Sequence, residues 1–418
     1  MAKKKEEVKQ VSDESELDNL DIVGELLGSD KEIEAIRADD VSVVDPSKMI
    51  STGLIPLDIA LGGGITKGRT YEISGPESHG KSTLCDTVVA NWLKNDKHAL
   101  CLRVESESTM DPIRCEMIGM DLKRVMVVKT MIMEEGYDQI AKVQKKIYDK
   151  YGNKVPLLIV WDTLTAAGPK QEMEDDNPYG SGMMLNARIN SRELRKLNSR
   201  CAEYDHSAII IQQVREGGKD MYGNMKWVTT GGQALKHYCS SRIFVKRRAA
   251  IYKDDNMKNP VVGYEVELDM LKNKMTGASR PVPVVMNLIE GFDPYVSAAT
   301  FALENNNTAP FITMAGAWVV VTDHRNNDYC KVQGKKGFIE KVREDPYLMK
   351  LIEYAAYYNK SAEHEMWRIK YENLLKKLYL DLEAMRPEGV KETKAEKQST
   401  LDAEVDSQLD DVMKGIEL

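Results

Sequence analysis

The stretch Gly75-Pro76-Glu77-Ser78-His79-Gly80-Lys81-Ser82 constrains this chain more than any other. Glycine, four residues, then glycine-lysine-serine is the phosphate-loop pattern, and its surroundings give it meaning. An apolar run at 71–73 precedes it, and a helix-like stretch at 82–93 follows. Each residue type has a physical reason. Gly75 and Gly80 let the backbone curl until successive amide N–H groups converge on phosphate oxygens. The start of the helix adds partial positive charge. Lys81 reaches the outer phosphates, the Ser82 hydroxyl suits Mg²⁺, and Thr83 completes the nucleotide-binding set. The chain is therefore expected to bind a nucleoside triphosphate with Mg²⁺.

The totals bound the rest. At 418 residues there is room for one large domain with appendages, or for two to three domains. A hydrophobic fraction of 42% suffices for a globular core. The formal net charge of −8 argues against coating nucleic acid by bulk charge but leaves room for a local basic groove. The cysteines Cys85, Cys101, Cys115, Cys201, Cys239 and Cys330 are scattered, and none forms a CxxC pair. That spacing points to reduced core thiols in a cytosolic protein and away from zinc or a disulfide frame. Lys3-Lys4-Lys5 is followed by acidic residues and not by an apolar segment, so no signal peptide is expected. No apolar run approaches membrane-spanning length, so the expectation is a soluble, cytoplasmic protein without membrane contact.

Residues 1–45 are charged, with a short apolar stretch at 20–27, and read as a flexible arm. Ser51-Thr52-Gly53 and the apolar run to Leu61 lead into Gly62-Gly63-Gly64, a tight-turn signal. Strands are expected at 69–73, 99–104, 125–128, 157–162 and 208–213, and helices at 110–120, 136–148 and 183–204. Segments 242–248, 261–271 and 281–286 read as closing strands, with Lys272-Asn273-Lys274 between the last two. That alternation makes 46–295 a mostly parallel α/β core. Residues 296–382 read as a small C-terminal module, helical from 347, and 383–418 as an acidic disordered tail.

Carboxylates close two of those strands. Glu105-Ser106-Glu107 follows one and Asp162 ends another, and strand C-termini lie on the ligand side of an open α/β sheet. An aspartate ending an apolar strand downstream of a phosphate loop suits Mg²⁺ held through water, although alone it also fits a helix cap. A polar loop is expected at 171–182. On the helix that follows, spacings of three and four put Arg188, Arg192 and Arg195 on one face, which charge runs usually turn to solvent. Residues 214–232 read as a long glycine-rich loop with Arg215, Lys219, Tyr222, Lys226 and Trp227. Loops of that length in compact domains are usually functional, and basic residues interleaved with aromatics suit single-stranded nucleic acid.

An ordered set of blocks resembles the RecA recombinase family over residues 46–345. The blocks are Ser51-Thr52-Gly53 with Leu57-Asp58-Ile59-Ala60-Leu61-Gly62, the phosphate loop, Asp111-Pro112, Pro169-Lys170 with Glu172, and Gln213-Val214-Arg215. Thr230-Gly231-Gly232 with Ala234-Leu235-Lys236, Lys272-Asn273-Lys274 and Ala315-Gly316-Ala317-Trp318 complete it. The resemblance implies a RecA-like phosphate-loop ATPase core, a small C-terminal α/β domain and a DNA-dependent ATPase that uses ATP and Mg²⁺. It implies a homo-oligomeric helical filament on single-stranded DNA that pairs with double-stranded DNA and exchanges strands in recombination and repair. Residues 1–45 then correspond to the segment that joins subunits.

The same resemblance implies roles for single residues. Glu107 matches the carboxylate that activates the attacking water, with Glu105 as the alternative, and Asp162 the Mg²⁺-side aspartate. Gln213 matches the γ-phosphate sensor that starts the second DNA loop. Asp111 and Arg114 fall at the nucleotide, Arg114 where the family usually stacks a tyrosine on adenine; a guanidinium can also stack. Lys236, Lys272 and Lys274 match residues offered to a neighbouring subunit's nucleotide. Met183, Arg188 and Arg195 fall where the first DNA loop and its helix touch DNA. The module around Trp318 is similar to one that gathers duplex DNA. His237 stands where a filament-contact phenylalanine is common, and the stretch at 305–310 also departs from the family pattern. Gly218 replaces the apolar wedge of the second DNA loop, leaving Met221, Tyr222 or Trp227 for that part. These departures fit a diverged member, bacterial or phage-encoded, acting in the bacterial or host cytoplasm.

Other function classes share parts of the pattern. A RecA-fold helicase-type DNA motor has the phosphate loop and Asp162 but needs a further domain for which this chain is short. A filament-forming DNA binder without hydrolysis has no need of Lys81, Glu107 and Asp162 together. A small-molecule kinase has no use for the basic segment after Gln213. Removal of the tail after Arg386 is expected to tighten binding to single-stranded DNA, because its carboxylates compete with phosphates for basic surfaces. Titrations of both forms across salt concentrations check this, and equal affinities throughout contradict it.

Overall fold

The computed structural model describes residues 46–174, 182–219, 221, 225–229, 234–277, 281–304 and 307–387. The expected N-terminal arm and nearly all of the acidic tail lie outside these residues. A small ribbon opens the described chain. Strand β1 (Met49–Ile50) pairs antiparallel with β2 (Ile65–Thr66), and α1 (Ile55–Leu61) connects them. The buried Asp58 carboxylate accepts from Thr52 N at 2.8 Å and Thr52 Oγ1 at 2.6 Å, which pins the start of α1.

The core follows as β3 (Thr70–Gly75), α2 (Lys81–Asn95), β4 (Leu100–Glu105), α3 (Pro112–Met117), β5 (Val125–Lys129), α4 (Met133–Tyr151) and β6 (Leu157–Asp162). It continues through α5 (Lys170–Glu174), α6 (Gly182–Tyr204), β7 (Ser207–Lys219), β8 (Met225–Thr229) and α7 (Ala234–Tyr238). Strands β9 (Ser241–Tyr252), β10 (Val261–Asn273), β11 (Val282–Asn287) and β12 (Gly291–Phe292) close it. The sheet order is β12-β11-β10-β9-β3-β7-β6-β4-β5, with β8 paired to the outer half of β7. From β9 to β5 all neighbours are parallel, and β10, β11 and β12 add antiparallel strands at the other edge.

This is the mostly parallel α/β core that the alternation of elements predicts, and residue type explains it. Every residue of β6 is buried, as expected of a parallel strand covered on both faces. On one face Val160, Ile211 and Ile73 pack with Leu84, Val88 and Trp92 of α2. On the other Ile159, Ile210 and Leu102 pack with Ile140 of α4 and with Leu194 and Leu197 of α6. Alternate residues of each strand therefore feed opposite layers.

Four expectations need correction. The helix expected at 110–120 spans only Pro112–Met117, because Asp111 caps its start and Gly119, at φ +95°, lies beyond its end. The polar loop expected from 171 begins as helix α5, and 175–181 lie outside the described residues. The long loop expected at 214–232 is largely a hairpin. There β7 runs on to Lys219, and Val214, Arg215 and Glu216 pair with Thr229, Val228 and Trp227. The glycines that read as loop include Gly218, at φ +87°, within a register shift between Glu216 and Lys219. A glycine there makes a bulge and leaves the ladder intact on either side. Finally, β10 reaches Asn273, so Lys272 lies in a strand opposite Arg242 and not in the connection that follows.

The last described part has its own core. It comprises α8 (Pro294–Leu303), β13 (Ile312–Ala315), β14 (Trp318–Thr322), β15 (Asp328–Gln333), α9 (Gly334–Glu344), α10 (Pro346–Ala362) and α11 (Glu365–Met385). The three strands form an antiparallel sheet, and Phe338, Leu351, Leu375 and Leu378 pack together with Ile55 of α1. The Lys370 ammonium of α11 donates to the Met275 carbonyl at 3.0 Å, just past the end of β10. Burial lowers its pKa to about 8.

A polar clasp holds the end of α11. Glu383 accepts from Arg325 Nε at 2.6 Å and bonds His324 Nε2, while His324 Nδ1 meets the Tyr347 hydroxyl at 2.9 Å. Burial opposes the Glu383 charge, but the bonds from His324 and Arg325 outweigh it and hold the pKa at about 2. The folded pKa lies below the ordinary glutamate value of 4.5, so this stabilisation is complete above about pH 4.5 and disappears as pH falls towards 2. Glu383→Gln is expected to lower Tm by several degrees at pH 7, with the gap to wild type narrowing below pH 4.5. Thermal melts across pH check this, and a constant gap contradicts it.

Candidate nucleotide-binding and catalytic site

Strand β3 delivers the phosphate loop to the C-terminal edge of the sheet. The loop is pressed onto β9 and β11, so that a side chain is excluded by backbone at one point and, at another, crowded by a side chain and disfavoured by the backbone conformation. A Cβ on Gly75 would meet the Val245 carbonyl at 2.5 Å, and one on Gly80, at φ +96°, would meet Met286 Sδ at 2.7 Å. Lys81 is buried at the first position of α2, and its Nζ donates to the Pro76 carbonyl at 2.7 Å. Burial lowers its pKa, opposed by the charges of Asp162, Glu107 and Glu77. His79 Nδ1 accepts from Arg247 N at 3.3 Å, and the Arg247 guanidinium donates to the Ser78 carbonyl at 3.3 Å, so β9 supports the loop from one side. Thr83 Oγ1 accepts from Arg114 NH2 at 2.8 Å. Asp111 Oδ1 accepts from Ile113 N at 3.0 Å and Arg114 N at 3.4 Å, so here it orders the first turn of α3 and thereby the backbone of Arg114.

Parallel register puts Glu105, at the end of β4, beside Asp162, at the end of β6. Both are 1% exposed. Two residues before Glu105 and on the same face stands Arg103, 2% exposed. Its Nε bonds Glu105, its NH1 bonds Asp86 of α2, and its NH2 donates to Asp162 Oδ2 at 2.8 Å. Burial raises the pKa of Asp86 and of Glu105 against the pull of Arg103. Burial works against the Arg103 charge too, but Asp86, Glu105 and Asp162 hold its pKa above the ordinary arginine value. The sequence reading missed Arg103 and Asp86. Their signal was an arginine inside an expected buried strand and an aspartate in the helix after the phosphate loop. Asp162 Oδ1 is buried and has no hydrogen-bond partner among the described residues. A buried carboxylate oxygen of that kind fits the water shell of a divalent cation, so Asp162 and the Ser82 hydroxyl are a suitable donor set for Mg²⁺.

Glu107, just beyond β4, is partly exposed where Glu105 and Asp162 are buried. Its Oε1 accepts from Thr163 Oγ1 at 2.7 Å and from Gln213 Nε2 at 2.7 Å. Gln213 is the last residue of β7 to pair with β3, and from Val214 onward the strand pairs with β8. Its backbone N–H donates to Thr165 Oγ1 at 3.1 Å, and that hydroxyl donates to Gln212 Oε1 at 2.9 Å. One partly exposed carboxylate is thus oriented by two donors, one of them at the root of the β7–β8 hairpin. Such a group can accept a proton from water at its exposed side.

The remaining sequence candidates fall in two places. Lys272 Nζ donates to the carbonyls of Lys236 and His237 at the end of α7, the His237 bond measuring 3.1 Å. Lys236 and Lys274 are exposed nearby, and among the described residues no hydrogen bond or ion pair joins these lysines to 75–83. Arg188 and Arg195 are exposed on α6, Arg195 Nε donating to the Tyr238 hydroxyl at 3.2 Å, and Arg215 is exposed on β7. Trp227 leans on Phe244 with ring centroids 6.4 Å apart, whereas Met221 is 89% exposed. Met183, Lys219 and Lys226 lie in α6, β7 and β8, but their side chains and all of Tyr222 fall outside the described residues.

A family profile for the RecA N-terminal domain matches residues 32–293. Protein RecA of Thermus aquaticus is 33% identical over 308 residues, 73% of this chain and 83% of that protein. Protein RecA of Laribacter hongkongensis is 32% identical over 319 residues, covering 76% of this chain and 83% of its own length. Protein RecA of Mannheimia haemolytica is 34% identical over 306 residues, 73% and 76% of the respective chains. Lys81 is the sole lysine or arginine between Gly75 and Thr83. Lys81→Ala is therefore expected to abolish nucleotide binding with the fold intact. Titration with a fluorescent nucleotide checks this, and wild-type affinity contradicts it.

Proposed function

Because the chain belongs to the RecA family, we propose that it is an ATP- and single-stranded-DNA-dependent recombinase. Its subunits assemble as a helical filament on single-stranded DNA, pair it with homologous duplex and exchange strands in recombination and repair. The observation that carries this reading is the hydrogen bond from Gln213 to Glu107, because it ties the carboxylate suited to hydrolysis to the root of a basic hairpin. A DNA-dependent ATPase needs that connection, and a small-molecule kinase does not.

In this reading the loop amides from Gly75 to Gly80 and the Lys81 ammonium bind the ATP phosphates, with Pro76, Glu77, Ser78 and His79 shaping the turn. Mg²⁺, held by Ser82 and through water by Asp162, would offset the phosphate charge. Arg114, steadied by Thr83 and Asp111, lies against the base. Glu107 takes the proton of the attacking water, and Thr163 and Gln213 orient it. The Gln213 side-chain amide has two N–H donors, so one can meet the γ-phosphate while the other holds Glu107, and the bound phosphate then pulls on the start of the hairpin. ATP and DNA then favour the same state and strengthen each other's binding, as linkage requires.

Single-stranded DNA lies along Arg188 and Arg195 of α6, the segment at Met183, and Arg215, Lys219, Tyr222, Lys226 and Trp227 of the hairpin. Met221 supports the part of the apolar wedge, because it is exposed while Trp227 is packed on Phe244. Lys236, Lys272 and Lys274 act on a neighbouring subunit's nucleotide, like fingers supplied in trans. Residues 1–45 join subunits, 46–293 hold the ATPase and DNA-binding core, the module from α8 to α11 gathers duplex DNA, and the acidic tail follows. The expected limits at 295 and 382 fall inside α8 and α11 and are moved to the start of the one and the end of the other. The setting is the bacterial cytoplasm, or the host's if the chain is phage-encoded.

Glu107→Gln is expected to keep nucleotide and DNA binding and to lower turnover by about 10²–10⁴-fold, the usual worth of a general base. Filaments formed with ATP should then persist. ATPase assays and strand exchange between a single-stranded circle and a linear duplex check the reading. Wild-type turnover in the variant contradicts the role of Glu107, and absence of strand exchange by the wild-type protein contradicts the proposed activity.

A further inference from the structure

We infer that Arg103 is a positioning residue for the metal side of this site, and that its three-way clamp leaves Asp162 Oδ1 as the oxygen free for the cation's water shell. This rests on the reading of Asp162 as the Mg²⁺-side carboxylate. The geometry is specific. A guanidinium is planar and presents its N–H groups in a fixed fork. Here each nitrogen is assigned to a different carboxylate: Nε to Glu105, NH1 to Asp86 and NH2 to Asp162 Oδ2. One arm therefore fixes one oxygen of Asp162, and the other oxygen, Oδ1, is buried without a partner among the described residues.

The clamp also links separate elements. Asp86 lies on α2, the helix whose first two residues are Lys81 and Ser82. Glu105 and Asp162 end adjacent parallel strands. Arg103 thus sets the distance between the helix that carries Ser82 and the strand that carries Asp162. An aspartate free to rotate would divide its time among orientations, whereas a clamped one presents the same oxygen to each incoming cation. Groups that orient a metal-binding carboxylate without touching the metal commonly matter about 10–100-fold in metal affinity.

The test separates this role from simple support of the fold. Arg103→Lys keeps the positive charge but loses the planar three-way fork. Asp86→Asn loosens the clamp from the α2 side and leaves Arg103 and Asp162 in place. For each variant, affinity for a fluorescent ATP analogue is measured in EDTA and across a Mg²⁺ titration, beside a thermal melt. The expected result is EDTA-state affinity within about twofold of wild type, with the Mg²⁺ midpoint raised about tenfold in Arg103→Lys and in the same direction in Asp86→Asn. A folded variant whose Tm falls while its Mg²⁺ midpoint stays at the wild-type value overturns the inference. If Arg103→Lys does not fold, the Asp86→Asn midpoint decides on the same criterion. Wild-type nucleotide binding that is indifferent to Mg²⁺ would instead overturn the assignment of Asp162 beneath it.

Discussion

Parallel pairing of β3, β7, β6 and β4 is the constraint from which the site follows. Parallel strands bring their C-terminal ends to one edge of the sheet. That edge receives the phosphate loop from β3, Gln213 from β7, Asp162 from β6 and Glu105 with Glu107 from β4. A one-residue slip between β4 and β6 would turn Glu105 away from Asp162 and disband the Arg103 cluster. The apolar layers on both faces, under α2 on one side and under α4 and α6 on the other, enforce the register. Packing far from the phosphates thus places the groups that would act on them.

Electrostatics divides these carboxylates by environment. Asp86, Glu105 and Asp162 are buried around Arg103, and leaving any of them without a counter-charge in the interior is costly. Glu107 is spared that fixation. It is partly exposed and held by two neutral donors, an arrangement that orients a carboxylate while leaving it able to take a proton. Its link to Gln213 crosses from the C-terminal edge of the sheet to the hairpin within one side chain.

Much of the core was legible because its signals are local. The phosphate loop, the apolar strand ending in Asp162 and the helix at 183–204 need only spacing and residue type to be seen. The β7–β8 hairpin was not legible, since Gly217 and Gly218 read as loop residues and only the observed pairing shows a bulge between paired stretches. Arg103 escaped for a different reason. A charged residue inside an apolar strand makes sense only once Asp86, seventeen positions earlier, and Asp162, fifty-nine later, are seen around it. Asp111 also caps α3 in the fold, a contact that its place in the motif did not reveal.

In the proposed mechanism Gln213 couples the nucleotide site to the β7–β8 hairpin through Glu107. The most direct measurement is ATP turnover with and without single-stranded DNA, in the wild-type protein and in Gln213→Ala, with both ligands shown to bind. The expected result is marked stimulation of the wild-type protein by DNA and loss of that stimulation in the variant, which still binds ATP and DNA. Equal stimulation of the two proteins would contradict it.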